Sequence, residues 1–278
     1  MIPKSYISTE KGITRIHSIL GSIFKRLIKR LKRPHIYDVY FRGYFTKREE
    51  AAFLLSKEDI YSASFLATRG LSNPIASKIL FQNSKLYLHF LALLPNGSTV
   101  VDFGGGYGVT YRNLYAASEG LNKDLDYVVI EKDEYVPIFR ENEREIIKYM
   151  TLDEYYCSQL EPDIIFCCSS LQYLEYPFAS LGKLISKKPK VMILANTPMV
   201  SHGRSYYMIQ HHVGRESIYT VFSVNELDSY FKRNNYMLTG AYKDEWVNMS
   251  EYCKENNSIP EKQKKNTHSF SRIYKLIE

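Results

Sequence analysis

Val100-Val101-Asp102-Phe103-Gly104-Gly105-Gly106-Tyr107-Gly108 decides the fold. Ser98 to Phe103 reads as a buried strand, and the glycines after it as a tight turn leading into a helix from about Val109 to Glu119. A strand, turn and helix in this order aim backbone N–H groups at whatever lies over the turn. The first turn of a helix leaves those donors unpaired, and the helix dipole adds positive potential, so an anionic or electron-rich ligand is favoured. Glycine lets it approach closely, having no Cβ.

The spacing separates the cofactor classes. A G-x-G-x-x-G dinucleotide fingerprint through Gly104 and Gly106 requires a third glycine where Val109 stands, so that register fails. What stands instead is Asp102 followed by Gly104, Gly105, Gly106 and Gly108. This resembles motif I of the class I S-adenosylmethionine-dependent methyltransferases, in which the turn passes under the methionine part of the cofactor. The resemblance implies that Asp102, Gly104, Gly105, Gly106 and Gly108 bind S-adenosyl-L-methionine; a purely structural turn is the other reading. A second apolar run, Asp126-Tyr127-Val128-Val129-Ile130-Glu131, ends on a carboxylate. Two acceptor oxygens suit the cis-diol of a ribose, so Glu131 is the expected ribose ligand. Asp102 and Glu131 are 29 positions apart, longer than the roughly 20 of a compact unit, which calls for a long helix or loop between them.

The alternation continues with a polar helix over Tyr135 to Tyr149, a buried strand over Asp163 to Cys168, a helix near Pro177 to Ser186 and a strand over Val191 to Leu194. In doubly wound sheets the carboxyl ends of the strands form the ligand crevice. Ser169, Ser170, Gln172 and Asn196 therefore share an edge with Gly104 and Glu131, and Ser169 and Ser170 join the cofactor-binding set. Asn196-Thr197-Pro198 begins a polar loop that includes Ser201, His202 and Arg204. Phe222-Ser223-Val224-Asn225-Glu226-Leu227 has the pattern of a capping box with a hydrophobic staple, opening a helix that ends near Asn234. Tyr236 to Lys243 and Phe270 to Ile277 read as two closing strands, bridged by a polar, solvated loop from Lys254 to Thr267. The expected architecture is α/β: a Rossmann-like, seven-stranded methyltransferase sheet over residues 96–278 with helices on both faces. A helical cap over residues 35–95 and a basic arm over residues 1–34 precede it.

Charge is concentrated in that arm. The chain of 278 residues carries a net +7, yet residues 1–50 alone hold twelve Lys or Arg against four Asp or Glu. From Ile19 to Arg33 the apolar Leu20, Ile23, Phe24, Leu27, Ile28 and Leu31 form one helical stripe amid lysines and arginines, ended by Pro34. Such a helix fits an anionic membrane surface, a packed helix with a solvated basic face or, third, nucleic acid. No secretory signal and no apolar run near the roughly 20 residues that span a bilayer is found. Four cysteines without a C-x-x-C pair fit a reducing cytoplasm and supply no metal site.

Three stretches resemble a narrower group: Val101 to Tyr111, Ser169-Ser170-Leu171-Gln172-Tyr173-Leu174, and Thr197-Pro198 with Ile209-Gln210. They are similar to a family of bacterial methyltransferases that accompany polysaccharide biosynthesis, as is the upstream Gly43-Tyr44 with Glu50-Ala51. The likeness implies methylation in the cytoplasm of a surface-glycan precursor, such as a nucleotide sugar or a lipid-linked saccharide; the basic helix over residues 19–33 adds the expectation of a peripheral place at the inner membrane face. The basic, Tyr-rich arm departs from that family's more Trp-rich opening. Removing a hydroxyl proton calls for a base, and histidine titrates near neutrality. Among His202, His211 and His212, His211 is the candidate, with Gln172 orienting cofactor or acceptor. Tyr40, Arg42, Tyr44 and Arg69 are candidates for acceptor contact. An RNA or nucleotide methyltransferase and a catalytically inactive module of a glycan-assembly complex are the alternatives.

Overall fold

The computed structural model describes residues 40–55, 94–108, 110–111, 124–141, 147–212, 215–248 and 259–277. The basic arm, Arg69, the expected helices over 61–68 and from Pro74, and the helix after the glycine turn beyond Tyr111 lie outside the described residues.

In chain order the strands are β1 (Tyr40–Phe45), β2 (Ser98–Phe103), β3 (Leu125–Glu131), β4 (Ile147–Thr151), β5 (Ile164–Cys168), β6 (Val191–Val200), β7 (Tyr206–His212), β8 (Arg215–Ser223), β9 (Tyr236–Asn248) and β10 (Thr267–Leu276). The helices are α1 (Arg48–Phe53), α2 (Val136–Arg140), α3 (Leu152–Cys157), α4 (Pro177–Ile185), α5 (Val224–Arg233) and α6 (Glu261–Asn266).

Seven strands form the principal sheet, in the order β4-β3-β2-β5-β6-β10-β9. The first five are parallel, and β10 runs antiparallel to both neighbours. This is the strand order of the class I methyltransferase sheet, with its reversed strand next to last. The parallel strands read as unbroken apolar runs because both faces are covered. Val100, Tyr127, Val129, Phe166 and Ile193 pack on one face with Phe139 of α2; Val101, Val128 and Ile165 pack on the other with Leu181 of α4 and Phe231 of α5. The chain winds outward from β2 to β4, returns, and winds the other way through β5 and β6. The switch point thus falls between the carboxyl ends of β2 and β5.

The polar helix expected over Tyr135 to Tyr149 is shorter. It stops at Arg140, and Ile147–Thr151 is β4, paired in parallel with β3. Ile147 and Tyr149 are buried while Lys148 between them is exposed and paired with Asp126 at 2.8 Å, the period of two that marks a strand. β4 runs directly into α3. The Thr151 hydroxyl accepts the Glu154 N–H at 3.1 Å and Glu154 accepts the Thr151 N–H at 2.8 Å, a reciprocal cap.

The polar loop expected at Asn196-Thr197-Pro198 is strand. Pairing with β10 moves from Thr197↔Phe270 to Leu194↔Arg272, so Ala195 and Asn196 together oppose Ser271 in a β-bulge. Asn196 takes the left-handed conformation there, at φ 49°. Past this bend Met199 and Val200 pair with β8, founding a second, antiparallel sheet of β8, β7 and β1. β1 lies within the segment expected to be mostly helical; α1 falls inside the expected Lys47 to Leu55. In the loop expected from Lys254 to Thr267, α6 forms.

Ser223 is the N-cap of α5 and Asn234 its C-cap, as expected, but the direct capping box is not made. Ser205 stands between the partners: its hydroxyl donates to Glu226 and accepts the Ser223 N–H at 2.7 Å, while the Ser223 hydroxyl donates to the Gly203 carbonyl. Ser223 is buried. Ser205→Ala would strand its N–H and lower stability by about 1–3 kcal/mol. A urea-unfolding midpoint unchanged by that substitution would show that the relay is unimportant.

Candidate cofactor site

The glycine turn leaves β2 at the switch point. The Gly104 N–H donates to the Ile130 carbonyl at 2.8 Å, and the Gly106 N–H to Glu131 Oε1 at 2.8 Å. Glu131 Oε2 accepts the Lys132 N–H at 3.1 Å. The carboxylate at the end of β3 is thereby fixed beside the middle of the turn, and each oxygen keeps a lone pair for a further donor. Burial pushes the Glu131 carboxyl above the usual carboxylate range, against the lowering pull of the Gly106 and Lys132 N–H groups.

Gly104, Gly106 and Gly108 have φ of 73°, 56° and 69°, a backbone that side chains with Cβ adopt at a cost. Their surroundings differ. A Cβ on Gly104 would lie 2.5 Å from the Ser170 Cβ, and one on Gly105 would lie 2.5 Å from Asp102 Oδ2. A Cβ on Gly106 would meet nothing within 4 Å. The turn is packed from below and open at Gly106, beside Glu131, which is the shape of a cradle.

Asp102 lies under the turn, at 0% exposure. The Tyr127 hydroxyl donates to its Oδ2 at 2.9 Å. Burial pushes the Asp102 carboxyl up to about 6, with the Tyr127 and Thr110 hydroxyls holding it down and the charge of Glu131 adding to the rise. Tyr127 was not singled out in the sequence; its only signal is a phenol in an otherwise aliphatic central strand.

The exit of β5 closes over the same turn. Ser169 has φ of 52°, left-handed like Asn196, and the two are joined. Asn196 Nδ2 donates to Ser169 Oγ at 2.6 Å, and Asn196 Oδ1 accepts the Ser269 hydroxyl at 2.7 Å. Two left-handed non-glycine residues side by side cost about 1–3 kcal/mol each and concentrate at functional sites. Ser170 follows, packed on Gly104, and Gln172 is 2% exposed in the 3-10 turn Leu171–Tyr173. Asp102, the glycines, Glu131, Ser169, Ser170, Gln172 and Asn196 are thus grouped at the carboxyl edge around the switch point.

His202 and His211 are placed elsewhere. His202 is exposed in the loop before β7, and the His212 side chain lies outside the described residues. His211 pairs with Tyr40 and Glu216 across its strand and stacks on the Tyr40 ring at 4.4 Å. Its face of the second sheet, shared with Ile209 and Ile218, packs against Ala51 of α1. The opposite face carries Tyr219, which meets the Tyr173 ring at 5.4 Å and so turns toward the β5 exit. His211 therefore does not share the face that adjoins the cofactor crevice. Beside it Arg42 forks onto Glu216 at 2.9–3.2 Å and donates to the Leu54 carbonyl at 2.9 Å, tying β1 and β8 to the end of α1. Tyr44 packs on Tyr206 at 4.8 Å.

No family model matches the chain, and no curated protein matches it. Among solved structures it is similar to the magnesium protoporphyrin IX methyltransferase of Synechocystis PCC 6803 with bound SAM, at 13% identity over 78% of this chain and 93% of that one, TM-score 0.49. It is also similar to the Burkholderia thailandensis 1,6-didemethyltoxoflavin-N1-methyltransferase, at 12% identity over 76% and 83%, TM-score 0.45. A third likeness is to a pericyclic reaction enzyme, at 10% identity over 69% of this chain and 46% of that one, TM-score 0.45.

Proposed function

We propose that this chain binds S-adenosyl-L-methionine and transfers its methyl group to an oxygen of a saccharide or nucleotide-sugar acceptor in bacterial surface-polysaccharide assembly. The observation that carries the cofactor half is the open cradle at Gly106, held beside the Glu131 carboxylate above a buried Asp102. These residues fit the cofactor. Glu131 has the acceptor capacity for both ribose hydroxyls, and the open turn admits the methionine part against backbone. The acceptor half rests on the resemblance of the Val101–Tyr111 and Ser169–Leu174 stretches.

When bound, the cofactor supplies an electrophilic methyl on a sulfonium. The chain's own task is to hold an acceptor oxygen in line behind that methyl and to exclude competing water. Ser169 and Asn196, locked together at the switch point, form a rigid wall for this. His211 is assigned to the packing of the second sheet, with Tyr40 and Glu216, rather than to proton removal. Catalysis then rests on alignment, and the methylated oxygen loses its proton to bulk solvent as the product leaves.

Glu131→Gln keeps the shape and one acceptor oxygen but removes the charge that strengthens a hydrogen bond to a ribose hydroxyl. Affinity for S-adenosylhomocysteine is expected to fall about tenfold or more. Equal affinity in both proteins would remove Glu131 from the site. The full reaction is tested with methyl-labelled S-adenosylmethionine and a mixture of nucleotide sugars, lipid-linked saccharides and RNA. Label in the saccharide fraction supports the proposal; label in RNA alone, or in none of them, contradicts it.

A further inference from the structure

Among the described residues two carboxamide oxygens are buried and accept no hydrogen bond on the faces that meet at the β5 exit: Gln172 Oε1 in the turn after β5, and Gln210 Oε1 on β7. A buried oxygen left without a donor costs about 1–3 kcal/mol, so an unmet pair marks either waste or a ligand that supplies the donors. The two glutamines are connected through aromatic side chains. Tyr173, next to Gln172, meets Tyr219; Tyr219 meets Phe41 at 4.8 Å; and Phe41 is the register partner of Gln210. Strand alternation puts Gln210 on the same face of the second sheet as Tyr219, the face turned toward the β5 exit.

Arg42 and Glu216 pair with each other on the opposite face, with His211. Among the described side chains of the inner face, Tyr206, Met208, Gln210, Ser217, Tyr219 and Val221 are uncharged.

We propose that Gln172 and Gln210 form the acceptor subsite, and that their unmet oxygens select a neutral, polyhydroxylated group by accepting its hydroxyl protons. A carboxamide oxygen needs a donor. Sugar hydroxyls are donors, whereas a phosphodiester at neutral pH offers none and would face these oxygens with like partial charge. The subsite rests on the methyltransferase reading for the reaction it serves, and on the two buried oxygens for its chemistry. It favours a hydroxyl-bearing sugar over a phosphate group as the moiety seated there.

The test uses Gln172→Met and Gln210→Met in the full chain, substitutions that keep approximate length and remove the polar atoms. The probes are methyl glycosides of common hexoses, their monodeoxy analogues, orthophosphate and an oligoribonucleotide, read by ligand-observed NMR. S-adenosylhomocysteine is titrated separately by calorimetry. Both variants are expected to melt higher than the parent, because an unmet buried oxygen is gone. The affinity of Gln210→Met for S-adenosylhomocysteine stays within about twofold, while glycoside binding weakens about tenfold in both variants, the equivalent of one lost hydrogen bond. At least one monodeoxy glycoside loses the same factor on the parent and is no longer distinguished from its hydroxylated form by the variant. Lower melting temperatures in both variants would make the glutamines structural and overturn the subsite. So would unchanged glycoside binding, no glycoside binding by the parent, or orthophosphate or oligoribonucleotide binding with the same glutamine dependence. Failure of S-adenosylhomocysteine to bind the parent, with the glycoside results intact, would remove the methyltransferase reading and leave the subsite standing.

Discussion

Gly104→Ala is expected to abolish S-adenosylhomocysteine binding and to cost about 2–4 kcal/mol of stability. Two penalties combine: the left-handed backbone at φ 73°, at about 1–2 kcal/mol, and a Cβ placed 2.5 Å from the Ser170 Cβ, which forces the β5 exit off the turn. For a domain of this size the thermal midpoint would drop by roughly 5–15 °C. Gly106→Ala is the informative contrast. It carries the backbone penalty but meets no atom within 4 Å, so its stability loss is smaller. Its methyl, however, enters the space assigned to the cofactor, and binding should be lost just as fully. A Gly106→Ala protein that bound S-adenosylhomocysteine like the parent would show that no ligand passes over the turn.

Asp102→Asn should have opposite effects on stability and on binding. In the folded protein the Asp102 carboxyl is raised from 3.8 to about 6. The folded state therefore holds this proton more tightly than the unfolded one, and stability falls as pH rises through that window. Above about pH 6 the full cost of the buried charge, about 3 kcal/mol, is in place. Asparagine keeps an oxygen for the Tyr127 hydroxyl without the charge. The variant should be the more stable protein at pH 7, by up to about 3 kcal/mol, with the difference vanishing below about pH 4. Urea titrations at pH 4, 5.5 and 7 would measure it, and a constant difference at all three would refute the assignment. Retaining an ionised carboxylate at such a cost makes sense if its negative potential, acting through the turn, draws a cation above it, as the ammonium group of the cofactor's methionine part would supply. S-adenosylhomocysteine affinity should accordingly fall in Asp102→Asn, and fall in the parent as pH drops below about 6.

The parallel strands were legible because strands covered on both faces are apolar at nearly every position: Val100, Val101 and Phe103, with Asp102 the exception, Val128 to Ile130 and Ile164 to Cys167 need no periodicity to be found. β4 was not, because it is an edge strand with Lys148 on its open side, and Ile147 and Tyr149 fit a helical stripe equally well. The continuation of β6 through Asn196-Thr197-Pro198 was hidden by residues that ordinarily mark loops. What makes them strand is the opposing Ser271 and the bulge, a contact 75 residues away in sequence. β1 is stranded by pairing with β7, again a partner remote in sequence.

The candidate site divides in the same way. Residues at the ends of the parallel strands, Asp102, the glycines, Glu131, Ser169 and Ser170, are grouped by the winding order, which the sequence pattern carries. His211 depends on which face of a late hairpin turns inward, and that is settled by Tyr219 meeting Tyr173, a contact without a local signal. Glu216 gave only the hint of an acid within Ile- and Tyr-rich strand sequence, and its meaning emerges from the Arg42 fork.

The most direct test of the cofactor assignment is calorimetric titration of the full chain with S-adenosylhomocysteine and, separately, with NAD. The account predicts micromolar binding of S-adenosylhomocysteine with one site per chain and no heat from NAD. Absence of S-adenosylhomocysteine binding, or binding of NAD in its place, would contradict it.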